Sequence, residues 1–200
     1  MLFLRLFCKV MAKKDIASVI LEAAQELFFK HGFKRISIED ICNKAEVSRR
    51  TFYVYYENKT NLLMKLLEQI NEVNSQEINA INNSNLSFPE KLIRMTNYNI
   101  AQLEKITPEF LADIHDPSFV EIKESYLERK KHWQKWTYAF LANAQKQGEI
   151  RANLDIEFFQ RFMNYAIASY QDEKIRKLYP DHALFMRKIS DLLFYGILGK

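Results

Sequence analysis

Apolar residues recur at helical spacing along nearly the whole chain. Between Ile16 and His31 they stand three or four positions apart, which is the spacing of one buried helix face. Gly32 follows at once, and helices commonly end on glycine because it adopts positive φ without strain. The chain holds only 4 Gly and 4 Pro, whereas a sheet needs a turn between successive strands. The pattern therefore predicts an all-α protein.

Two short helices are predicted next, over residues 38–45 and 49–56. Each follows a serine in the N-cap position, Ser37 or Ser48, and an acidic residue three positions after Ser37 completes a capping-box pattern. Only a short turn separates the two helices. Helices this short cannot enclose a core of their own, so they must pack against the first helix and a fourth that begins after Asn58.

The rest of the chain is predicted to be helical too. An Asn- and Ser-rich linker over residues 82–87 separates the fourth helix from those that follow. Proline and glycine set the later boundaries, with starts near Pro89, Pro108 and Pro117, an end at Gly148, and final helices over 155–177 and 182–198. We therefore expect one helical domain over 14–74, a larger one over 75–200, and a short extension over 1–13.

The positive charge of the chain is concentrated in its first third. Residues 1–60 carry 11 basic and 7 acidic residues, whereas the rest carries 18 of each. A local excess of this kind indicates a polyanionic partner. Cys8 and Cys42 fit no metal-ligand or disulfide pattern. Residues 1–10 are too short to span a bilayer, and Met11 offers a second start. We interpret them as an upstream extension or, alternatively, a weak membrane-surface anchor, and expect a cytoplasmic protein with no membrane partner.

The predicted helix over 49–56 has the chemistry of a DNA-reading helix. Its apolar residues Phe52 and Tyr56 stand four positions apart, so they can bury one face. Arg49 and Arg50 stand at its N-terminus, where free N–H groups favour phosphate and a guanidinium can bond guanine bidentately. Together with the short helix before it, this is the pattern of a helix-turn-helix.

Residues 14–74 resemble the DNA-binding domain of the TetR family of bacterial regulators. The matching residues are spread over the segment and include Ala23-Ala24, Leu27-Phe28, Gly32-Phe33, Val47-Ser48, Thr51-Phe52-Tyr53, Tyr55-Tyr56 and Leu62-Leu63. The resemblance implies a helix-turn-helix over residues 37–56 that binds a double-stranded DNA operator. It also implies DNA contacts from the positions of Ser37, Ser48, Arg49, Arg50, Thr51, Tyr53, Tyr55 and Lys59.

Two residues depart from the usual pattern of the family. Glu46 stands in the turn, where the family usually has glycine, so slight strain of the turn is expected. Arg50 stands where the family often has glycine, and a cation there is expected to add a base contact or to alter specificity. Neither departure argues against DNA binding.

The C-terminal part resembles the family only in its layout, which implies an all-helical domain that holds an inducer pocket and dimerises through its last two helices. The helix predicted over 155–177 is apolar on two sides and needs two packing partners. One partner can be its own subunit and the other the dimer mate, although both helices can also be plain core. The predicted homodimer interface is Ile156, Phe159, Met163, Phe185, Ile189, Leu192 and Gly196.

A ligand pocket is predicted from aromatic residues in the C-terminal part. Aromatic side chains with a few polar tips can hold an apolar or aromatic ligand, although the same stripes also occur in plain cores. The predicted lining is Tyr98, Phe110, Tyr126, Trp133 and Phe162.

The favoured function is a repressor that an unidentified, largely apolar or aromatic small molecule releases from DNA. The alternative is a DNA-bound structural or protein-interaction factor without an inducer. An enclosed cavity favours the first, whereas a filled core with an exposed apolar patch favours the second. No catalytic constellation stands out, so we expect a protein that is not an enzyme and needs no metal or cofactor.

Overall fold

The computed structural model describes residues 15–114, 116 and 118–198, with the backbone alone for residues 171 and 193–198. Within those ranges the chain is helical without any strand, and the prediction of an all-α fold is confirmed. No helix there is long and apolar enough to cross a bilayer. The predicted extension over 1–13 and the predicted helix start at Pro117 lie outside the described residues. The helices are α1 (Ile16–His31), α2 (Ile38–Lys44), α3 (Arg49–Tyr55), α4 (Lys59–Asn82), α5 (Phe88–Leu103), α6 (Pro108–Ile114), α7 (Val120–Lys146), α8 (Ile156–Ala168), α9 (Glu173–Leu178) and α10 (His182–Leu198).

The first compact unit extends to Glu72 and also includes Thr107–Asp113. Its α2 packs on α1, and α3 packs on α2. Helices of 7 residues, such as α2 and α3, are marginal in isolation and depend on this packing. The core consists of apolar side chains that solvent hardly reaches, among them Ile20, Ala24, Phe28, Ile41, Phe52, Leu62, Leu63 and Leu66.

The segment Thr107–Asp113 is placed differently from the sequence prediction, which assigned it to the C-terminal domain. Phe110 on α6 is buried, with its ring centroid 5.1 Å from that of Phe29 on α1. The Thr107 N–H donates to the Phe29 carbonyl at 3.0 Å. Phe110 therefore completes the core of the DNA-binding unit. Periodicity could not reveal this, because it reports which face of a helix is buried and not against what.

A close approach of backbone to side chain fixes the other end of this segment. The Asp113 carboxylate accepts the Lys34 N–H at 2.9 Å. A Cβ on Gly32, which has a φ of +83°, would come within 2.9 Å of the same carboxylate oxygen. Glycine at the end of α1 is therefore favoured by its backbone conformation, and a Cβ there would force the Asp113 carboxylate to shift.

The second compact unit comprises Val73–Ile106 and the chain from Ile114 onwards. Within it, α5 packs against α10, α7 against α8, and α8 against α10. One of its core clusters contains the buried side chains of Phe88, Leu141, Ala144, Ile150, Leu154 and Ile156.

The helix predicted over 155–177 is interrupted. α8 ends at Ala168, a 3-10 turn follows over Ser169–Gln171, and α9 begins after Asp172. Asp172 is extended, with φ −69° and ψ 129°, and its carboxylate accepts the Lys174 N–H at 2.8 Å. Aspartate is favoured at such a cap because its side chain satisfies N–H groups that a helix start leaves free. The apolar spacing continues across the break, which is why the sequence pattern predicted one helix.

The turn between α2 and α3 contains the strain that the sequence predicts. Glu46 has a φ of 54°, in the left-handed region that favours glycine. Its side chain is exposed, so the packing of the side chain does not offset the backbone cost.

Replacing Glu46 by glycine is expected to stabilise the protein by about 0.5–1 kcal/mol, because removing Cβ relieves the left-handed conformation by more than the added freedom of glycine costs. The free energy of unfolding in urea measures the effect. Glu46→Ala is the matched control, since it removes the carboxylate but keeps Cβ, and it should give no such gain. Equal gains in stability in both variants would show that the charge of Glu46, and not its backbone conformation, destabilises the protein.

Candidate DNA interface and ligand cavity

Helix α3 is fixed by its apolar face and offers its opposite face to solvent. Phe52 is fully buried, and Tyr56 just beyond the helix donates its hydroxyl to the Ala17 carbonyl at 2.9 Å. Guanidinium groups near a helix N-terminus and exposed phenol hydroxyls can bond phosphates and base edges. The exposed face consists of Arg49, Arg50, Tyr53, Val54 and Tyr55.

Val54 is a candidate contact that the sequence analysis missed. Its side chain is 71% exposed, more than that of either neighbouring tyrosine. An apolar side chain on a helix in the major groove can contact the methyl group of thymine. Its position between two outward tyrosines was the available signal, but valine by itself carries no chemistry that marks a DNA contact.

The serines predicted to contact DNA are also helix caps. The Ser37 hydroxyl accepts the Asp40 N–H at 3.1 Å and donates to the Asp40 carboxylate at 2.6 Å. These bonds hold the pKa of Asp40 below its usual value. Ser48 accepts the Thr51 N–H at 3.0 Å, and the two hydroxyls lie 2.8 Å apart. Ser37, Ser48 and Thr51 thus fix the starts of α2 and α3, and their DNA contacts stay a prediction.

Lys59 points into its own unit rather than freely outward. Its ammonium donates to the carbonyls of Phe33 at 2.9 Å and Ile36 at 2.8 Å, and lies 4.3 Å from the centroid of the Phe33 ring. Burial lowers the pKa of Lys59. Two of the three donors of an ammonium are used in this way, which leaves one for a phosphate. Lys59 therefore connects the start of α4 to the loop before α2, and its contact with DNA stays a prediction.

A cavity of about 260 Å³ lies between α5, α7, α8 and α10 in the second unit. None of the described residues that line it is ionisable. The polar lining side chains are Thr96, Asn99, Gln134, Thr137, Gln160, Asn164 and Ser190. The apolar and aromatic ones are Leu92, Met95, Ile100, Leu103, Trp133, Trp136, Phe140, Leu141, Phe159, Met163, Ile167 and Met186.

Of the predicted pocket residues, only Trp133 lines this cavity. Tyr98 instead donates its hydroxyl to Asn74 at 2.8 Å, and Phe110 belongs to the core of the first unit. Tyr126 and Phe162 are on exposed helix faces, at 39% and 49% exposure. The prediction selected aromatics, whereas the cavity walls alternate them with amides, hydroxyls and methionines that the sequence analysis had no reason to single out.

The two apolar stripes of α8 face the opposite way from the prediction. The stripe that was predicted to contact the dimer mate faces its own unit, and the other stripe is exposed. Ile156 is buried in the core of its own unit, and Phe159 and Met163 line the cavity. The exposed stripe is Phe158, Phe162 and Tyr165, at 68%, 49% and 79% exposure. Both stripes have the same period, so periodicity alone could not tell which faces inward.

On α10, the predicted interface residues separate in the same way. Phe185 is buried within its unit, Ile189 is half-buried, and Leu192 is 68% exposed. The predicted contact at Gly196 falls where only the helical backbone is described. Leu192 is thus the one of these three that keeps a large surface for a partner.

A helix-turn-helix with an exposed cationic helix, followed by a helical unit with an apolar cavity, defines a class of DNA-binding regulators. Residues 20–66 match the profile of the bacterial regulatory proteins of the tetR family. The HTH-type transcriptional regulator TtgR of Pseudomonas putida is 27% identical over 178 residues, which are 84% of this chain and 83% of that protein.

Two solved structures share the fold at low sequence identity. The regulator FadR of Bacillus subtilis in complex with stearoyl-CoA superposes with a TM-score of 0.66 at 20% identity, over 90% of this chain and 98% of that one. The SmeT–triclosan complex superposes with a TM-score of 0.69 at 17% identity, over 92% of each chain. The chain is thus similar to TetR-family transcriptional regulators over most of its length, and its match to the family profile lies in the helix-turn-helix unit.

Arg50 provides a test of base reading by α3. Arg50→Ala is expected to weaken operator binding by about 1–3 kcal/mol and to relax the preference at one base pair. Arg50→Lys keeps the charge but loses the bidentate geometry, so it should keep the salt dependence of binding and lose the base preference. Fluorescence anisotropy with DNA from upstream of the protein's own gene, at several salt concentrations, measures both. Wild-type discrimination in both variants would rule out base reading by Arg50.

Proposed function

We propose that the protein is a homodimeric repressor that a small, largely apolar or aromatic ligand releases from its operator. The observation that carries the proposal is the uncharged cavity of about 260 Å³ in the second unit. A ligand site is concave, mostly apolar and furnished with a few polar groups, and this cavity has those properties. A scaffold that bound only proteins would need no such space. The proposal places the protein in the bacterial cytoplasm, where operator and inducer meet.

Two fold neighbours support a ligand of this kind. FadR is described in complex with stearoyl-CoA and SmeT in complex with triclosan. Both ligands have large apolar parts. Because both proteins have low identity to this chain, neither compound can be assigned to it. An apolar ligand nevertheless fits the lining of this cavity.

The segment Thr107–Asp113 supplies a route from ligand to DNA. Leu103, at the end of α5, lines the cavity, and Thr107 follows one turn further along the chain. The Phe110 ring of this segment is part of the DNA-binding core, and the Asp113 carboxylate holds the Lys34 N–H. A ligand that displaces the end of α5 therefore pulls on a segment that is anchored beside α1.

Helix α4 is a second route by which the same displacement reaches the helix-turn-helix in this proposal. α4 continues from Lys59, beside the helix-turn-helix, to Asn82 in the second unit. The two recognition helices of a dimer must lie about 34–36 Å apart to enter successive major grooves. A movement of α4 in each subunit changes that spacing. The ligand weakens DNA binding only as far as it prefers the non-binding state.

The ligand-release proposal is tested by reciprocity. A compound that releases operator should bind the free protein more tightly than the operator-bound protein by the same factor, about 5–150-fold for a coupling of about 1–3 kcal/mol. Asp113→Ala should leave ligand affinity unchanged and reduce this factor, because Asp113 anchors the connecting segment without lining the cavity. Glu109→Gln, an exposed acid on the same helix, is the control. Anisotropy and calorimetry measure the two affinities, and a ligand that binds equally with and without operator is not the inducer.

The exposed stripe of α8 supports the homodimer. Phe158, Phe162 and Tyr165 present aromatic surface that a monomer in water would rarely leave uncovered. Leu184 and Leu192 add exposed apolar surface on α10, which packs against α8. A twofold dimer presents the same surface on both subunits, so one such stripe covers its own copy.

Phe162→Glu is expected to convert the dimer to a monomer at micromolar concentration, because a charge would be buried in an apolar interface. Light scattering gives the mass. Val73→Glu introduces the same charge at an exposed apolar position on α4 and should leave the dimer intact. A dimer that is unchanged in Phe162→Glu would show that the stripe is not the dimer interface. That result would favour the alternative, a DNA-bound factor that uses the stripe to bind a different protein.

A further inference from the structure

Four aromatic rings form a stacked column beside the cavity. The ring centroids of Trp133 and Trp136 lie 5.0 Å apart at an interplanar angle of 11°, and those of Trp136 and Phe140 lie 5.3 Å apart at 10°. Phe88 continues the column 5.1 Å beyond Phe140. Trp133 ends it, lines the cavity, and is 43% exposed. A flat ring in the cavity can therefore extend the column at the Trp133 end, since aromatic rings favour offset stacking at these distances.

Two hydroxyl groups in the cavity wall have used their donors on the protein, and one carboxamide has used one of its two. The Thr137 hydroxyl donates to the Trp133 carbonyl at 2.9 Å, and the Ser190 hydroxyl donates to the Met186 carbonyl at 2.8 Å. The Gln160 side-chain N–H donates to a backbone carbonyl at 2.8 Å. Thr137 and Ser190 therefore still offer only an acceptor oxygen, whereas Gln160 keeps its carbonyl oxygen and a second N–H.

The remaining polar groups can take either role. Asn99, Gln134 and Asn164 are carboxamides and Thr96 is a hydroxyl, so each can donate as well as accept. No ionisable side chain among the described lining residues offsets the cost of burying a ligand charge. The wall thus suits an uncharged molecule, and at Thr137 and Ser190 it can only accept a hydrogen bond from it.

We propose that the cavity binds a flat, uncharged aromatic molecule that carries a hydroxyl or N–H donor, stacked on Trp133 with its donor directed to the acceptors of Thr137, Gln160 or Ser190. This inference rests on the proposed function and narrows the ligand to a chemical class. Stacking selects for planarity, the spent donors select for a donor on the ligand, and the neutral wall selects against charge.

The test uses a matched set of probes by calorimetry on the full-length dimer at pH 7, without DNA. 2-Naphthol is the flat, neutral donor. 2-Methoxynaphthalene lacks the donor, decahydro-2-naphthol lacks planarity, and 2-naphthoate adds a charge. Each change should weaken binding by roughly three- to tenfold or more, the usual range for one hydrogen bond or one aromatic stack.

Variants locate the binding to the column. Trp133→Leu should weaken 2-naphthol several-fold and bring its affinity close to that of decahydro-2-naphthol. Tyr138→Leu, an exposed aromatic on the same helix that does not line the cavity, should change neither. The melting temperature of each variant without ligand shows that it is folded.

The outcomes separate this inference from the proposed function. Absent binding of 2-naphthol, equal binding of its methyl ether or saturated analogue, or tighter binding of the carboxylate would overturn the ligand class. If operator is nevertheless released by some other compound, the repressor proposal stands. If 2-naphthol binds with the expected preferences but no ligand of this class releases operator, the ligand class stands and the proposed switch fails.

Discussion

The burial of the Phe52 ring is the contact on which the DNA-binding surface depends. α3 has only 7 residues, too few to persist alone in water. Phe52 is inaccessible to solvent, and the Tyr56 hydroxyl bonds the Ala17 carbonyl on α1. With one face fixed in this way, the other face can consist of arginines and tyrosines that contribute little to the fold. Because the buried face fixes the helix, the residues of the exposed face can change without loss of the helix.

Lys59 contributes to the stability of the same unit at a position that is also predicted to contact DNA. An amine that bonds two carbonyls and lies over an aromatic ring holds the chain before α2 to the start of α4. The partial burial that lowers its pKa is offset by these contacts. Replacing Lys59 would therefore remove contacts that hold the start of α4, as well as the predicted phosphate contact. A loss of DNA affinity in such a variant cannot be assigned to the phosphate alone.

The sequence predicted most where a local rule applied and least where packing partners decide. The caps at Ser37 and Ser48 and the strained Glu46 follow from short-range rules, and the structure shows each. The two stripes of α8 were also recognised, but which one faces inward depends on packing against α5, α7 and α10, which the spacing within α8 does not reveal. Phe110 was predicted to face a ligand and instead completes the first core, because α6 packs beside Phe29. The cavity had no local signature, since its walls come from four helices.

The contacts that hold the segment Thr107–Asp113 have energies of the size that the proposed ligand switch requires. A coupling of about 1–3 kcal/mol is typical of allosteric switches, and a single helix cap or hydrogen bond contributes about 1 kcal/mol. The segment Thr107–Asp113 is held at its two ends by the Thr107–Phe29 and Asp113–Lys34 hydrogen bonds, with the Phe110 ring between them. Under the proposed switch, loss of one or two such contacts on ligand binding would supply a coupling energy of this size. The core of α1–α4 need not be disrupted, and the helix-turn-helix can stay folded while the spacing of its two copies changes.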